Sequence, residues 1–165
     1  MTLDANDWPE GVRRIAAALL AKGHPHAPVQ LDNAARTAQQ AADALGIVLG
    51  QIAKSIIFLR KSDQAAVLVV TSGDRRVDEK KVAALLGPLG RADASFVKVK
   101  TGYSIGGVPP LAHATASVTL IDRELFRFEE IWAAAGHPHA VFRLSPADLV
   151  LLTGAPLADV VVDLP

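Results

Sequence analysis

The chain has 165 residues, half of them hydrophobic, and lysine plus arginine and aspartate plus glutamate both count 17. It can bury one full core, but its balanced charge gives no global field toward a nucleic-acid backbone or an anionic membrane. A duplex DNA binder therefore gains no support, and any RNA must be gripped locally. Without cysteine there are no disulfides, no thiolate catalysis and no cysteine zinc site. MTLDANDWPEGVRR holds no apolar signal core and no run approaches the ~20 residues of a membrane span, so the expectation is one soluble, cytoplasmic domain.

Asp7 is placed to cap a first helix with Pro9 in its first turn and an apolar stripe at Val12, Ile15, Ala16, Leu19 and Leu20, ended by Gly23. Val29 to Leu31 alternates as a short edge strand. Thr37 then caps an alanine-rich helix closed by Gly46, whose lack of bulk suits close packing on a sheet. Ile52–Leu59 predicts a strand buried on both faces, joined by a polar hairpin at residues 60–64 to a second strand, Ala65–Thr71. Lys54 is conspicuous there: either it snorkels to water from the strand's start, or it is held inside for a purpose.

Asp78 caps a helix over Glu79–Leu86 that Gly87-Pro88 terminates, and the mixed charges around Asp74–Lys81 read as its solubilising entrance. Residues 92–100 fit helix or strand, with Lys98 and Lys100 able to border an anion. Strands follow at Ser117–Asp122, Phe128–Ala135 and Ala140–Leu144. Ser145-Pro146-Ala147-Asp148 then opens a helix closed by Gly154, and Ala158–Val162 forms a last strand. Strands interspersed with helices and hairpins give an α/β fold of α+β-like type, a mixed β-sheet flanked by helices.

The stretch TGYSIGGVPPLAH, residues 101–113, can continue neither a helix nor a central strand. Glycines leave its backbone N–H groups uncovered and prolines limit its wandering, which suits a carbonyl, oxyanion or phosphate. It lacks the dinucleotide glycine pattern, and no Walker loop or Gly-x-Ser-x-Gly elbow occurs anywhere. The His-Pro-His triplets at 24–26 and 137–139 lack completing carboxylates or cysteines at zinc spacing, so they read as turn histidines, and no metal or cofactor is expected. His113 and His137 adjoin glycine-rich turns and are candidates for polar groups of a pocket.

Four separated motifs, QIAKSIIF at 51–58, GDRRVDEKK at 73–81, the loop from Thr101-Gly102-Tyr103 through Gly106-Gly107-Val108-Pro109-Pro110, and LSPADL at 144–149, resemble the YbaK family. These are free-standing aminoacyl-tRNA deacylases related to the editing domain of bacterial prolyl-tRNA synthetases. The resemblance implies a mixed sheet and hydrolysis of the ester joining a wrong, small amino acid to the 3′ acceptor end of a tRNA, commonly that for proline. A prolyl-tRNA synthetase is the further partner it suggests. Lys54 matches the family's active-site lysine, paired with Ser55, and Gly106 and Pro110 match the ends of its Gly-x-x-x-Pro loop. By the same resemblance Ala134-Ala135-Gly136 is the small segment facing the acyl group. The Gly106-Gly107 backbone is expected to meet the oxyanion, and Gly102, His113 and His137 are expected to border the substrate. His137 departs from the simplest small-residue pattern. No general base is evident, and the resemblance implies that the substrate's own ribose hydroxyl helps to activate the water. The alternative function is a non-catalytic module that binds a tRNA end or a synthetase, and the neutral chain implies weak binding of bare tRNA.

Overall fold

The computed structural model describes residues 7–165, so the expectation that the extreme N-terminus carries no signal core falls partly outside the described residues. The elements are α1 (Glu10–Ala21), β1 (Val29–Gln30), α2 (Ala38–Leu45), β2 (Ile52–Arg60), β3 (Ala66–Ser72), α3 (Glu79–Leu86), β4 (Leu89–Arg91), α4 (Ala94–Thr101), β5 (Val118–Asp122), β6 (Ile131–His137), β7 (Ala140–Leu144), α5 (Pro146–Thr153) and β8 (Leu157–Ala158). The strands form one mixed sheet in the order β1-β7-β6-β2-β3-β5-β8, with β4 paired to β2 off that path. The expected mixed sheet with flanking helices is what the chain forms.

Alternation along the strands assigns the helices to faces. Ala53 of β2, Leu68 and Val70 of β3, and Ala133 and Ala135 of β6 pack with α1 and α5 in the main core. The other face carries Val67 and Val69 against Val82 of α3, and Ile52 and Trp132 against Ala41 and Ala42 of α2. Thr37 accepts from the Gln40 amide to cap α2, Asp78 caps α3, and Ser145 with Asp148 forms a reciprocal capping box at α5.

Several sequence expectations change. Pro9, not Asp7, occupies the N-cap of α1, with no side-chain cap, and Leu20 is 80% exposed because the buried stripe is Val12, Ile15 and Leu19 alone. Residues 94–101 resolve as helix, since the Asp93 carboxylate caps the Phe96 amide and Gly102 supplies a left-handed C-cap. β6 begins at Ile131 because residues 123–127 wind into a 3-10 turn capped by Asp122, and the last strand shrinks to Leu157–Ala158 plus a bridge between Val77 and Val161. The charges around Asp74 are not merely a solvated entrance: Asp74 receives the Arg127 guanidinium at 2.7 Å and the Ser72 hydroxyl at 3.1 Å, and Lys81 reaches Asp159 and Asp163. The first set ties the end of β3 to the 3-10 turn that follows β5, and the second ties α3 to the C-terminal segment.

Helix α1 crosses β6 so closely that a Cβ on Gly11 would stand 2.5 Å from the Gly136 carbonyl oxygen, and one on Gly136 would stand 2.5 Å from backbone atoms of Gly11. Neither backbone can yield without parting the helix from the sheet. Gly11→Ala is expected to destabilise by about 1–3 kcal/mol through overpacking, seen as a lower midpoint in thermal unfolding.

Candidate functional site

Strand β2 is expected from sequence to be buried on both faces, yet from Lys54 onward it is only half-buried. The reason lies in its pairing. One edge runs antiparallel to β3 from Ala53 to Leu59, whereas the other meets β6 only at Ile52 and Ala53 and β4 only from Phe58 to Arg60. β6 pairs with β2 no further than Ala133, and just beyond it the register of β6 against β7 shifts between Ala134 and His137, so a gap opens in the sheet beside residues 54–57. A cavity of about 500 Å³ occupies that gap. Its walls are β2 from Ile52 to Ile57, Trp132 to Ala134 of β6, residues 35–38 at the entrance to α2, Ile105, Gly106 and Val108 of the glycine loop, and His137-Pro138.

The structure brings together Lys54, Ser55, Gly106, Ala134 and His137 on this one cavity. Among the described residues no carboxylate lies within ion-pair distance of Lys54. Lys54 is thus half-buried without a counter-ion among the described residues, and an uncompensated charge beside an apolar wall is costly. Among the described residues the only other ionisable side chains lining the cavity are Arg36 and His137, so its polarity is cationic. Arg36 has no motif signal in the sequence. It reaches the site because Thr37 must cap α2, which sets the preceding residue at the rim.

The loop is shaped by its tethers. Gly107 does not offer its amide to a substrate: its N–H donates to the Ser104 carbonyl at 3.1 Å, and its own carbonyl accepts from Gly136 N–H at 2.9 Å, tying the loop to β6. Gly106 is the residue that faces the cavity, at φ 97°, and a Cβ there would meet Pro138 Cγ at 3.8 Å and Arg36 Cα at 3.9 Å. The structure places Pro110, Gly102, His113, Ala135 and Gly136 off the cavity wall. Pro110 is buried behind the loop, Gly102 caps α4 against Arg14, Ala135 faces α1, and Gly136 abuts Gly11. His113 braces the loop from behind, its Nε2–H donating to Pro109 O at 2.7 Å and its Nδ1 accepting from the Ser117 hydroxyl at 2.7 Å. Burial holds its pKa below the usual imidazole value, consistent with a neutral ring. Lys98 and Lys100 lie elsewhere, on the Gly102 carbonyl and the Phe96 ring. Among the alanines that do narrow the cavity are Ala35, Ala38, Ala41, Ala53, Ala133 and Ala134.

The backbone N–H of His139 donates to His137 Nδ1 at 3.1 Å, so the neutral His137 ring carries its proton on Nε2. That ring is a hydrogen-bond donor there, not a base. Burial, then the nearby His139 ring and the Arg36 charge, push its pKa below 6.5. A histidine depressed in the fold costs nothing above the unfolded value and weakens the fold as pH drops below it, where the unfolded chain binds the proton more readily. The thermal midpoint is therefore expected to fall between pH 7 and pH 5, and less steeply in His137→Gln.

Residues 32–152 match the family model of the aminoacyl-tRNA editing domain. The chain belongs to that family. This editing domain is similar to the uncharacterized protein YwhH of Bacillus subtilis strain 168, 33% identical over 121 residues covering 73% of this chain and 76% of YwhH. It is similar to proline–tRNA ligase of Thermoanaerobacter sp. strain X514, 32% identical over 94 residues; these are 54% of this chain but only 16% of that enzyme. Among solved structures it superimposes on a candidate trans-editing enzyme for prolyl tRNA synthetase with a TM-score of 0.88, at 39% identity, covering 95% of this chain and all of that one. The family is one of aminoacyl-tRNA editing, and two of these relatives, the ligase and the candidate trans-editing enzyme, carry prolyl-tRNA synthetase in their own descriptions. Among the described residues no helix is long and apolar enough to cross a membrane.

Proposed function

We propose that this domain is a trans-editing hydrolase that cleaves the ester of a mischarged aminoacyl-tRNA, with tRNA for proline carrying a small non-cognate amino acid as its substrate. The observation that carries the reading is Lys54, a half-buried cation without a carboxylate partner among the described residues, on the same cavity wall as Gly106. An aminoacyl ester is already activated, so the site need supply only orientation, an attacking water and stabilisation of the oxyanion. Lys54 supports the substrate's carbonyl or terminal phosphate. The Gly106 amide, which makes no backbone hydrogen bond among the described residues, is the loop's donor to the oxyanion. Gly107 and His113 hold the loop in place, and Pro110 stiffens its exit.

Among the described residues no carboxylate lines the cavity, and His137 presents a proton rather than a lone pair at Nε2. The 3′-terminal ribose hydroxyl of the substrate then activates the water. The alanine-walled space admits alanine-like, serine-like or cysteine-like groups and excludes bulkier ones. Such a second sieve is needed because one methylene distinguishes amino acids by only about 1–3 kcal/mol in a synthetase pocket. Incubation with tRNA for proline charged with alanine, serine, cysteine or proline tests the reading. Release of at least one small amino acid well above the buffer rate, with prolyl-tRNA spared, is expected. If no ester is cut faster than in buffer, the module that binds a tRNA end or a synthetase without hydrolysis takes its place.

A further inference from the structure

The gap that forms the cavity also leaves part of a strand edge unpaired. Ile52 accepts from the Gly73 amide and the Arg60 amide donates to Ala65, so the even-numbered residues of β2 direct their backbone groups toward β3. The odd-numbered residues direct theirs to the opposite edge. There Ala53 meets β6 and Leu59 meets β4, but Ser55 lies where neither partner strand reaches. Ser55 lines the cavity, and among the described residues its N–H and C=O have no backbone partner outside the strand ladder. It presents a donor and an acceptor side by side, as an edge strand does to an added strand.

The substrate brings a need that the ionisable side chains do not meet. Its α-amine, charged or neutral, is a donor, while the ionisable groups on the cavity wall are Lys54, Arg36 and His137, with no anion among them. The hydroxyl of Thr37 already accepts from the Gln40 amide, and His137 Nδ1 accepts from His139.

Resting on the deacylase reading, we infer that Ser55 recognises the aminoacyl group as though it were one residue of an added strand. Its C=O accepts from the α-amine and its N–H donates to the ester carbonyl. Exchanging both bonds with a single residue requires an amine and a carbonyl on one carbon, which defines the substrate as an α-aminoacyl ester and rejects a plain carboxylic ester. The sequence pair Lys54-Ser55 thereby divides its work: alternation sends the Lys54 side chain to the α2 face while the Ser55 backbone meets the edge.

The experiment compares tRNA for proline carrying alanine, lactate or propionate, and in a second set serine or 3-hydroxypropionate. Each enzymatic rate is divided by the buffer hydrolysis rate of the same ester, to remove the amine's own activation of the carbonyl. For whichever amino acid is cut faster, the amine-free ester is expected to be cleaved at least tenfold more slowly after this correction, with the lactyl ester between alanyl and propionyl. Equal corrected rates for alanyl and propionyl esters, or for seryl and 3-hydroxypropionyl esters, would overturn the role of Ser55 while leaving the deacylase reading intact. Failure to cut even the aminoacyl esters would overturn both.

Discussion

Lys54→Ala is expected to lower kcat/KM for deacylation by about 10²–10³ while leaving the fold nearly as stable as before, because the lysine forms no ion pair among the described residues. The asymmetry separates a functional cation from a structural one. A lysine that held the fold would show in thermal unfolding, and one that merely snorkelled would show in neither measurement. Lys54→Arg keeps the charge but not the compact ammonium, and the narrow alanine-lined space is expected to accept the wider guanidinium poorly, giving intermediate activity. The informative measurement is single-turnover deacylation beside thermal unfolding of the same preparations. Full activity in Lys54→Ala would remove the lysine from the mechanism.

Gly107→Ala is expected to be the most damaging single-methyl change at the site. A Cβ there would stand 2.8 Å from both N and Cα of His137 and 3.0 Å from its carbonyl carbon, all backbone atoms of β6 that cannot rotate aside. Relief requires the loop to lift from the strand and lose the bond from Gly136 N–H to Gly107 O. Overpacking and that lost bond together are expected to cost about 2–4 kcal/mol of stability and to displace Gly106 from the cavity wall. Gly106→Ala provides the contrast: the space is open, but a left-handed φ costs a non-glycine residue about 1–2 kcal/mol. That variant is expected to fold and to lose activity by rigidly narrowing the cavity, whereas Gly107→Ala loses stability and activity together. Thermal unfolding of the two variants side by side distinguishes these outcomes.

How far the site could be read from sequence depended on whether the signal was local. The caps at Thr37, Asp78 and Ser145 and the left-handed glycines at 46 and 154 are chemistry of a few neighbouring residues, and each appears where composition places it. Lys54 stands out because an ammonium inside an apolar strand is anomalous at any register. What sequence could not provide was the gap in the sheet, since neither the end of the β2–β6 pairing at Ala133 nor the register shift of β6 against β7 has a one-dimensional trace. Strand alternation likewise hides which of Ala133, Ala134 and Ala135 meets the cavity: the third faces α1. Gly107 reads as a bare amide because glycine advertises exposed backbone, yet here the missing Cβ permits contact between two backbones. Arg36 carries no motif, and only the cap one residue later brings it to the rim.

The central claim is that an ester carbonyl lies in the sheet gap within reach of the Lys54 ammonium and the Gly106 amide, which take up its charge as the oxyanion forms. A crystal structure with a non-hydrolysable 3′-alanylamino-adenosine tests it most directly. The acyl carbonyl is expected in the cavity within hydrogen-bonding distance of Lys54 Nζ or the Gly106 N–H, with the methyl group against the alanine wall. An analogue bound with its carbonyl outside the gap, or turned away from both groups, would contradict the account.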